Sequence, residues 1–418
     1  MREAPAPGLG CWESGYGAVR NMPKSLATIS ALVGAMALVM TQACAAGDRL
    51  DVHEWGTFTS VAGTDGVATG WFALGGPNDL PCFVHRLEND GSLKAGLIGT
   101  VRMETPVLYF YTQRELTITV EVRFPQGLIT EWYPRAELAS RSSTVTEGPR
   151  ELRDGSITWR NASITPNTTT ALVADSNASH YYAARAVEAA PLRVGDQQEK
   201  FLFYRGVGNF SLPISARPIE DGAVAVDSLT DDAVDWLIFF EKRGSKIGFH
   251  IYDGLRARQR LTIEMPPLDG DAVRLQAEIE GRLIAQGLYP SEAKAMVKTW
   301  HDAWFEEGAR LLYVVPRRAV DAVLPLSITP SPDETVRVFM GRLEVITPAT
   351  LQAVERAIAD SDAPTLARYG RFIAPIVQRI SADRRQTVDQ TRLDRLITVA
   401  YGSATPQPLS CPAPRGQQ

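Results

Sequence analysis

Polar and apolar residues alternate with period two from Glu115 to Phe124, the pattern of a strand with one face in a core and the other outside it. Pro125-Gln126-Gly127 supplies a turn, and Leu128 to Tyr133 predicts the next strand, stopped by Pro134. Val107 to Tyr111 precedes this pair. Lys200 to Tyr204, Val234 to Phe240, Ile247 to Tyr252 and Arg260 to Met265 predict further short strands, with Gly244 and Gly254 punctuating the last three. Many short strands with turn residues between them point to a sandwich or barrel-like pair of sheets. The stretch 139–199 breaks the rhythm. It is rich in Ser, Thr, Asn, Ala and Asp, and predicts a long excursion on a sheet edge with one strand at Ser156 to Arg160.

After Pro266-Pro267 the period changes. Val273, Leu275, Ile279, Leu283 and Ile284 recur at helical spacing within a helix from Asp269 to Gly287. Pro290 sits at a first-turn position, and Ser291 to Glu307 predicts a second helix ended by Gly308. On it Ala293, Met296, Val297, Trp300 and Trp304 form a core stripe. Arg310 to Val315 and Val336 to Ile346 predict strands. Helices are expected from Thr347-Pro348 to about Asp360, from Ala363 to Ile380 and from Val388 to Tyr401. The fold class is therefore α+β: a β-sandwich-like antiparallel N-terminal part, then a helix-rich part with a few strands. As domains, this reads as 47–267 with its excursion, 268–402, and a Pro-rich tail at 403–418.

One apolar run fits neither period. Leu26 to Met40 carries no charge, follows Met22-Pro23-Lys24-Ser25, and leads into Ala43-Cys44-Ala45-Ala46. A basic start, a short apolar stretch and small residues at the exit predict a secretory signal. The run is shorter than the roughly 20 residues of a membrane span. Residues 1–46 read as signal peptide plus an upstream extension, and a periplasmic or extracellular location follows. Cys44 also stands where a lipidated cysteine would stand, although no leucine lies three positions upstream of it.

His53-Glu54-Trp55-Gly56-Thr57-Phe58, Met103-Glu104-Thr105-Pro106-Val107 and Thr130-Glu131-Trp132-Tyr133-Pro134 form one set of motifs. Phe201-Leu202-Phe203-Tyr204-Arg205-Gly206 and the segment Thr299 to Gly308 (TWHDAWFEEG) form another. Together they resemble a group of exported bacterial proteins from environmental lineages, over most of the mature chain. The resemblance implies a bacterial, extracytoplasmic protein. It implies no activity and carries over no catalytic residue.

Composition adds bounds. With 44% hydrophobic and 22% charged residues, the chain has an ordinary globular balance. The leader holds Arg2, Arg20 and Lys24 against Glu3 and Glu13, so its removal takes the net charge from −5 to −6. No basic block stands out, which argues against a nucleic-acid partner. Cys82 and Cys411 are the two cysteines beyond the leader. In an oxidising compartment they are expected to pair.

Three groups of residues carry candidate chemistry. His53 and Glu54 adjoin near the mature N-terminus, as a metal ligand or an acid/base pair would. On a strand, however, neighbours point to opposite faces. Asp302 and Glu306 lie four apart on the second helix, beside His301. Two carboxylates on one helix face can tune an acid, a base or a cation site, or simply be solvated beside Lys298 and Arg310. Trp55, Trp71, Trp132 and Trp159, with Tyr133, Tyr181 and Tyr182, would offer a stacking platform if exposed, or core if buried. There is no HExxH, nucleophile elbow, P-loop, dinucleotide fingerprint or EF-hand loop. The residues identify no cofactor or metal.

Two readings follow. The first is a binding or structural module of the cell envelope, with a glycan, a peptide or an envelope protein as partner. The second is an extracytoplasmic hydrolase with His53, Glu54, His301, Asp302 and Glu306 converging between the two parts. It requires those side chains to meet in one cleft.

Overall fold

The computed structural model describes residues 49–73, 80–87, 98–139, 153–169, 171–175 and 179–383, with single positions between 391 and 399. The first half forms β1 (Asp51–Val61), β2 (His85–Arg86), β3 (Val101–Tyr111), β4 (Leu116–Phe124), β5 (Gly127–Tyr133), β6 (Glu137–Ala139), β7 (Gly155–Ile164), β8 (Leu192–Val194) and β9 (Gln197–Glu199). It continues with β10 (Leu202–Gly208), β11 (Ile214–Pro218), β12 (Val224–Ser228), β13 (Leu237–Arg243), β14 (Lys246–Tyr252) and β15 (Arg260–Ile263). The second half forms α1 (Ala272–Ala285), α2 (Pro290–Trp304), β16 (Gly308–Val315), α3 (Arg317–Val323), β17 (Leu326–Thr329), β18 (Glu334–Val345), α4 (Pro348–Asp360), α5 (Ala363–Ala367) and α6 (Ile373–Asp383). The α+β class holds, and the alternating segment Glu115 to Phe124 is strand β4 almost to the residue.

Nine strands make the main sheet, in the order β14-β13-β16-β18-β1-β3-β10-β5-β2. A smaller sheet runs β17-β4-β7-β8-β9, with β6 also on β7, and β11-β12-β15 form a third. One face of the main sheet packs on the smaller sheet. Phe58, Leu108, Tyr204 and Phe339 meet Val120, Val122, Ile157 and Trp159 there, which is the sandwich. The other face is covered by helices. Leu275, Ile279 and Leu283 of α1 and Met296, Trp300 and Trp304 of α2 pack against Trp55, Tyr109 and Phe240. Further along the same face, Val354 of α4 and Ile373, Ile376 and Val377 of α6 close over Val61 and Val207. Both Trp300 and Trp304 are buried, as their helical stripe predicts.

The sheet crosses the expected domain boundary at 267/268. β1 from the first part is central: ten of its eleven residues are buried, so it needs a partner on each side. It takes β3 antiparallel and β18, from the second part, in parallel register. β17 likewise joins the smaller sheet on β4. Residues 46–418 accordingly form one compact unit. The division at the double proline marks a change of local period, not of core. The stretch 139–199 includes β7 and β8, which are integral to the smaller sheet.

Local chemistry sets the helix ends. Asp271 accepts the amides of Val273 and Arg274 at the start of α1, and Thr347 accepts that of Thr350 at the start of α4. Gly287 adopts φ +103° beyond the end of α1, a conformation that favours glycine. α2 stops at Trp304, three residues before the expected Glu307. Gly341, inside β18, lies under the Tyr313 ring of β16, and a Cβ there would overlap that ring. Gly341→Ala is therefore expected to cost about 1–3 kcal/mol by overpacking. Urea denaturation checks this, and Tyr313→Ala in the same chain should relieve part of the clash.

The half-buried backbone amide of Cys82 donates to Asp175. Cys411 lies outside the described residues, as does most of the helix expected from Val388 to Tyr401 and all of residues 1–48.

Candidate functional site

α2 organises the chemistry, with different groups at its two ends. At its N-terminus Glu292 is fully buried. It accepts the Tyr289 amide (2.7 Å) and the Tyr111 hydroxyl (2.8 Å). His53 Nδ1 lies 2.8 Å from the same carboxylate. The His53 ring stacks on Tyr289 at 4.5 Å and meets Tyr111 edge-on at 5.1 Å. Burial, then Glu292, pushes the Tyr111 hydroxyl well above the usual tyrosine range, so it donates and does not ionise. His53 thus clamps β1 to the helix start.

Glu54 points to the other face of the sheet, as strand alternation requires. It is fully buried. It accepts from the Tyr204 hydroxyl and from Arg337 Nε, each at 2.5 Å. Arg337 also donates to Asp321 (2.7 Å) and to the Leu324 carbonyl (2.8 Å). Burial pulls the Arg337 pKa down, but Glu54 and its other acceptors outweigh this and hold the charge. His53 and Glu54 therefore belong to two separate structural clamps.

At the C-terminal end of α2 lies a cleft of about 530 Å³, lined by Lys242, His301, Asp302, Glu306, Glu307 and Arg368 with the Gly244-Ser245 turn. The His301–Asp302–Glu306 group expected from sequence does share this cleft. Asp302 Oδ1 is 3.0 Å from His301 Nδ1, and Oδ2 is 3.6 Å from His180 Nε2. Glu306 has left the helix and accepts from Arg342 at 3.1 Å. Glu307 accepts the Gly244 amide through both oxygens at 2.9 Å. The expected partners Lys298 and Arg310 do not pair with these carboxylates. Arg310 instead donates to the carbonyls of Trp304, Glu306 and Glu307 and to Glu344. It closes the helix end, where the macrodipole favours a cation.

The five expected catalytic residues do not converge. Glu292, which binds His53, and Asp302 are ten positions apart on α2, roughly 15 Å of rise, and Glu54 is on the far side of the sheet. The hydrolase arrangement that joins His53 and Glu54 to Asp302 and Glu306 is thereby overturned. The aromatic platform fails for a simpler reason: Trp55, Trp71, Trp159, Tyr133 and Tyr181 are core. That removes the feature on which a glycan partner was expected.

Sequence reasoning missed the charged row beneath the cleft. Arg310, Arg342 and Glu344 continue across the helix-covered face through Glu104 and Arg205 to Glu131, all buried. Arg371 donates to Glu104 at 2.7 Å, and the Arg342 guanidinium lies 4.3 Å over the Phe372 ring. Arg342 Nε and Nη1 and the Thr57 hydroxyl have no hydrogen-bond partner among the described residues. The available signal was a charged pair, Arg342 and Glu344, set among the apolar residues of a strand.

Burial alone would raise the Glu104 pKa, but Arg371 and Arg102, with Thr59 and Arg205, hold it at about 2 against an ordinary 4.5. A carboxyl depressed in the folded state stabilises fully above its unfolded pKa and loses that contribution as pH falls through the folded value. The window is thus from about pH 4.5 down to about 2, worth about 3 kcal/mol. Urea melts from pH 6 to pH 2.5 should show this acid loss, and Glu104→Gln should flatten it. An unchanged slope in the variant would assign the loss to other carboxyls.

Among the described residues no group of three or more His, Cys, Asp or Glu is placed to hold a metal ion. No described helix is long and apolar enough to cross a membrane. No family model matches the chain, and no curated protein matches it. Among solved structures it is similar to a yeast delta-COP-I mu-homology domain complexed with a Dsl1 WxWxV peptide, at 10% identity and a TM-score of 0.23. The likeness covers 71% of this chain and 96% of that one; at that score it bears on neither fold nor partner.

Proposed function

We propose that the mature chain is an exported binding module of the cell envelope, taking a peptide or a segment of an envelope protein into the cleft at the end of α2. One observation carries this reading. The acids and bases that catalysis would need are committed to the scaffold: His53 to Glu292, Glu54 to Arg337, Glu306 to Arg342 and Glu307 to the Gly244 amide. The charged groups left at the cleft, exposed Asp302 and Arg368 with half-buried Lys242, present both signs of charge at its rim. Such a rim suits a polar peptide segment held by ion pairs and hydrogen bonds.

The test is a binding screen of the mature chain against a library of short charged peptides, repeated with Asp302→Asn and Lys242→Ala. Peptides that bind the parent and are lost from both variants support the reading. A hydrolase alternative keeps one specific observation, the Asp302 carboxylate between His301 and His180. Turnover in a broad hydrolase panel that disappears in His301→Ala would favour it and sink the binding module.

Export belongs to the same proposal. The expected cleavage point predicts that secreted material begins near Ala46 or Gly47 on N-terminal sequencing. Recovery of the intact leader in cytoplasmic protein would count against it. We propose Cys411 as the disulfide partner of Cys82, which peptide mapping under non-reducing conditions tests directly.

A further inference from the structure

A second recess lies away from the cleft, at the start of β18. It has a volume of about 520 Å³, and its wall includes Arg317, Asp321, Ser327, Ser331, Thr335 and Arg337. Arg337 is unusual among them. Its side chain is 1% exposed. Nε and Nη1 are used by Glu54, Asp321 and the Leu324 carbonyl, while Nη2 has no hydrogen-bond partner among the described residues. A buried guanidinium nitrogen carrying two unused N–H groups calls for an acceptor.

The neighbouring groups are arranged to admit one. Asp321, the carboxylate on this wall, is held by Arg317 Nε through both oxygens and by Arg337. Its negative charge is therefore already paired. Arg317 further donates Nη1 to the Thr335 carbonyl at 2.9 Å, which fixes its guanidinium at the edge of the recess. Two arginines stand on the wall beside one aspartate, and Ser327 and Ser331 add hydroxyl donors. Arginine presents a planar fork of N–H groups that matches carboxylate and phosphate oxygens.

We propose that this recess is a binding site for a small oxyanion, a carboxylate or a phosphate, held by Arg337 Nη2 and Arg317 with the serine hydroxyls around it. It does not depend on the cleft reading, since the two sites share no residue. Glu54 beneath the wall balances the second arginine, so recognition comes from directed N–H donors and not from a net field.

The experiment titrates the mature chain with inorganic phosphate, and separately with acetate and succinate, at constant ionic strength. Thermal unfolding and calorimetry are the readouts. Saturable stabilisation by phosphate, by a carboxylate, or by both supports the proposal, and the pattern tells the two chemistries apart. Arg317→Gln, at a half-exposed position, should weaken binding about tenfold or more. Because Arg337 also neutralises Glu54, its removal is tested in the paired variant Glu54→Leu/Arg337→Met, confirmed folded by circular dichroism, in which binding should vanish. No saturable effect from any of the three anions would overturn the site. So would binding that survives both the Arg317 variant and the paired variant.

Discussion

Arg310→Met should lower the unfolding free energy by about 4 kcal/mol, because it leaves Glu344 buried beside a weakened partner. The remaining cation near Glu344 is Arg342, 3.5 Å away and shared with Glu306. The substitution also strips a donor from the carbonyls of Trp304, Glu306 and Glu307. These are the last groups of α2 and its turn, and a buried carbonyl without a donor is itself costly. Urea denaturation measures the loss. Arg310→Lys should recover only part of it, since one ammonium cannot serve four acceptors spread around a planar fork. The turn 305–308 carries Glu306 and Glu307 into the cleft, so the peptide binding proposed there should weaken more than global stability alone explains. A parent-like midpoint for Arg310→Met would mean that this buried cation does not hold the helix end.

The cleft and the charged row are thus one construction, and they differ in how far they could be read from sequence. His301, Asp302 and Glu306 are close along the chain, so a local argument brought them together correctly. Their partners are not local. Glu306 meets Arg342 across 36 positions, and His180 reaches Asp302 from the far side of the chain. Strands β4 and β5, the turn between them, and helices α1 and α2 were legible because period and turn residues act within a few positions. The parallel pairing of β1 with β18 was not. It joins Asp51 to Glu334, and no period within either segment selects that partner.

His53 and Glu54 show the limit most sharply. Alternation along a strand correctly predicts that they part to opposite faces. It says nothing of what awaits them, Glu292 on one side and Arg337 on the other. A polar residue in a strand was read as a surface or a site because apolar residues are the usual core. Here the core itself holds ion pairs, and Glu54, Arg310, Arg337, Arg342 and Glu344 are all buried.

Glu54→Ala puts a magnitude on that choice. It is expected to cost about 3–5 kcal/mol, because Arg337 keeps its charge inside the protein without its main acceptor. The Tyr204 hydroxyl, buried and driven well above the usual tyrosine range by burial and by Glu54, loses its acceptor as well. The informative comparison is the paired change Glu54→Leu/Arg337→Met. Replacing a buried ion pair by apolar side chains of similar size is often neutral or stabilising. Asp321, half-exposed and still paired with Arg317, is left in a tolerable state. The paired variant should therefore regain most of the stability lost by Glu54→Ala. Denaturation of Glu54→Leu, Arg337→Met and the pair closes a double-mutant cycle. A pair as unstable as Glu54→Ala would show that Glu54 and Arg337 do more than neutralise each other. A pair as stable as the parent would show that the charges are not kept for stability, in keeping with the oxyanion-binding role proposed for Arg337.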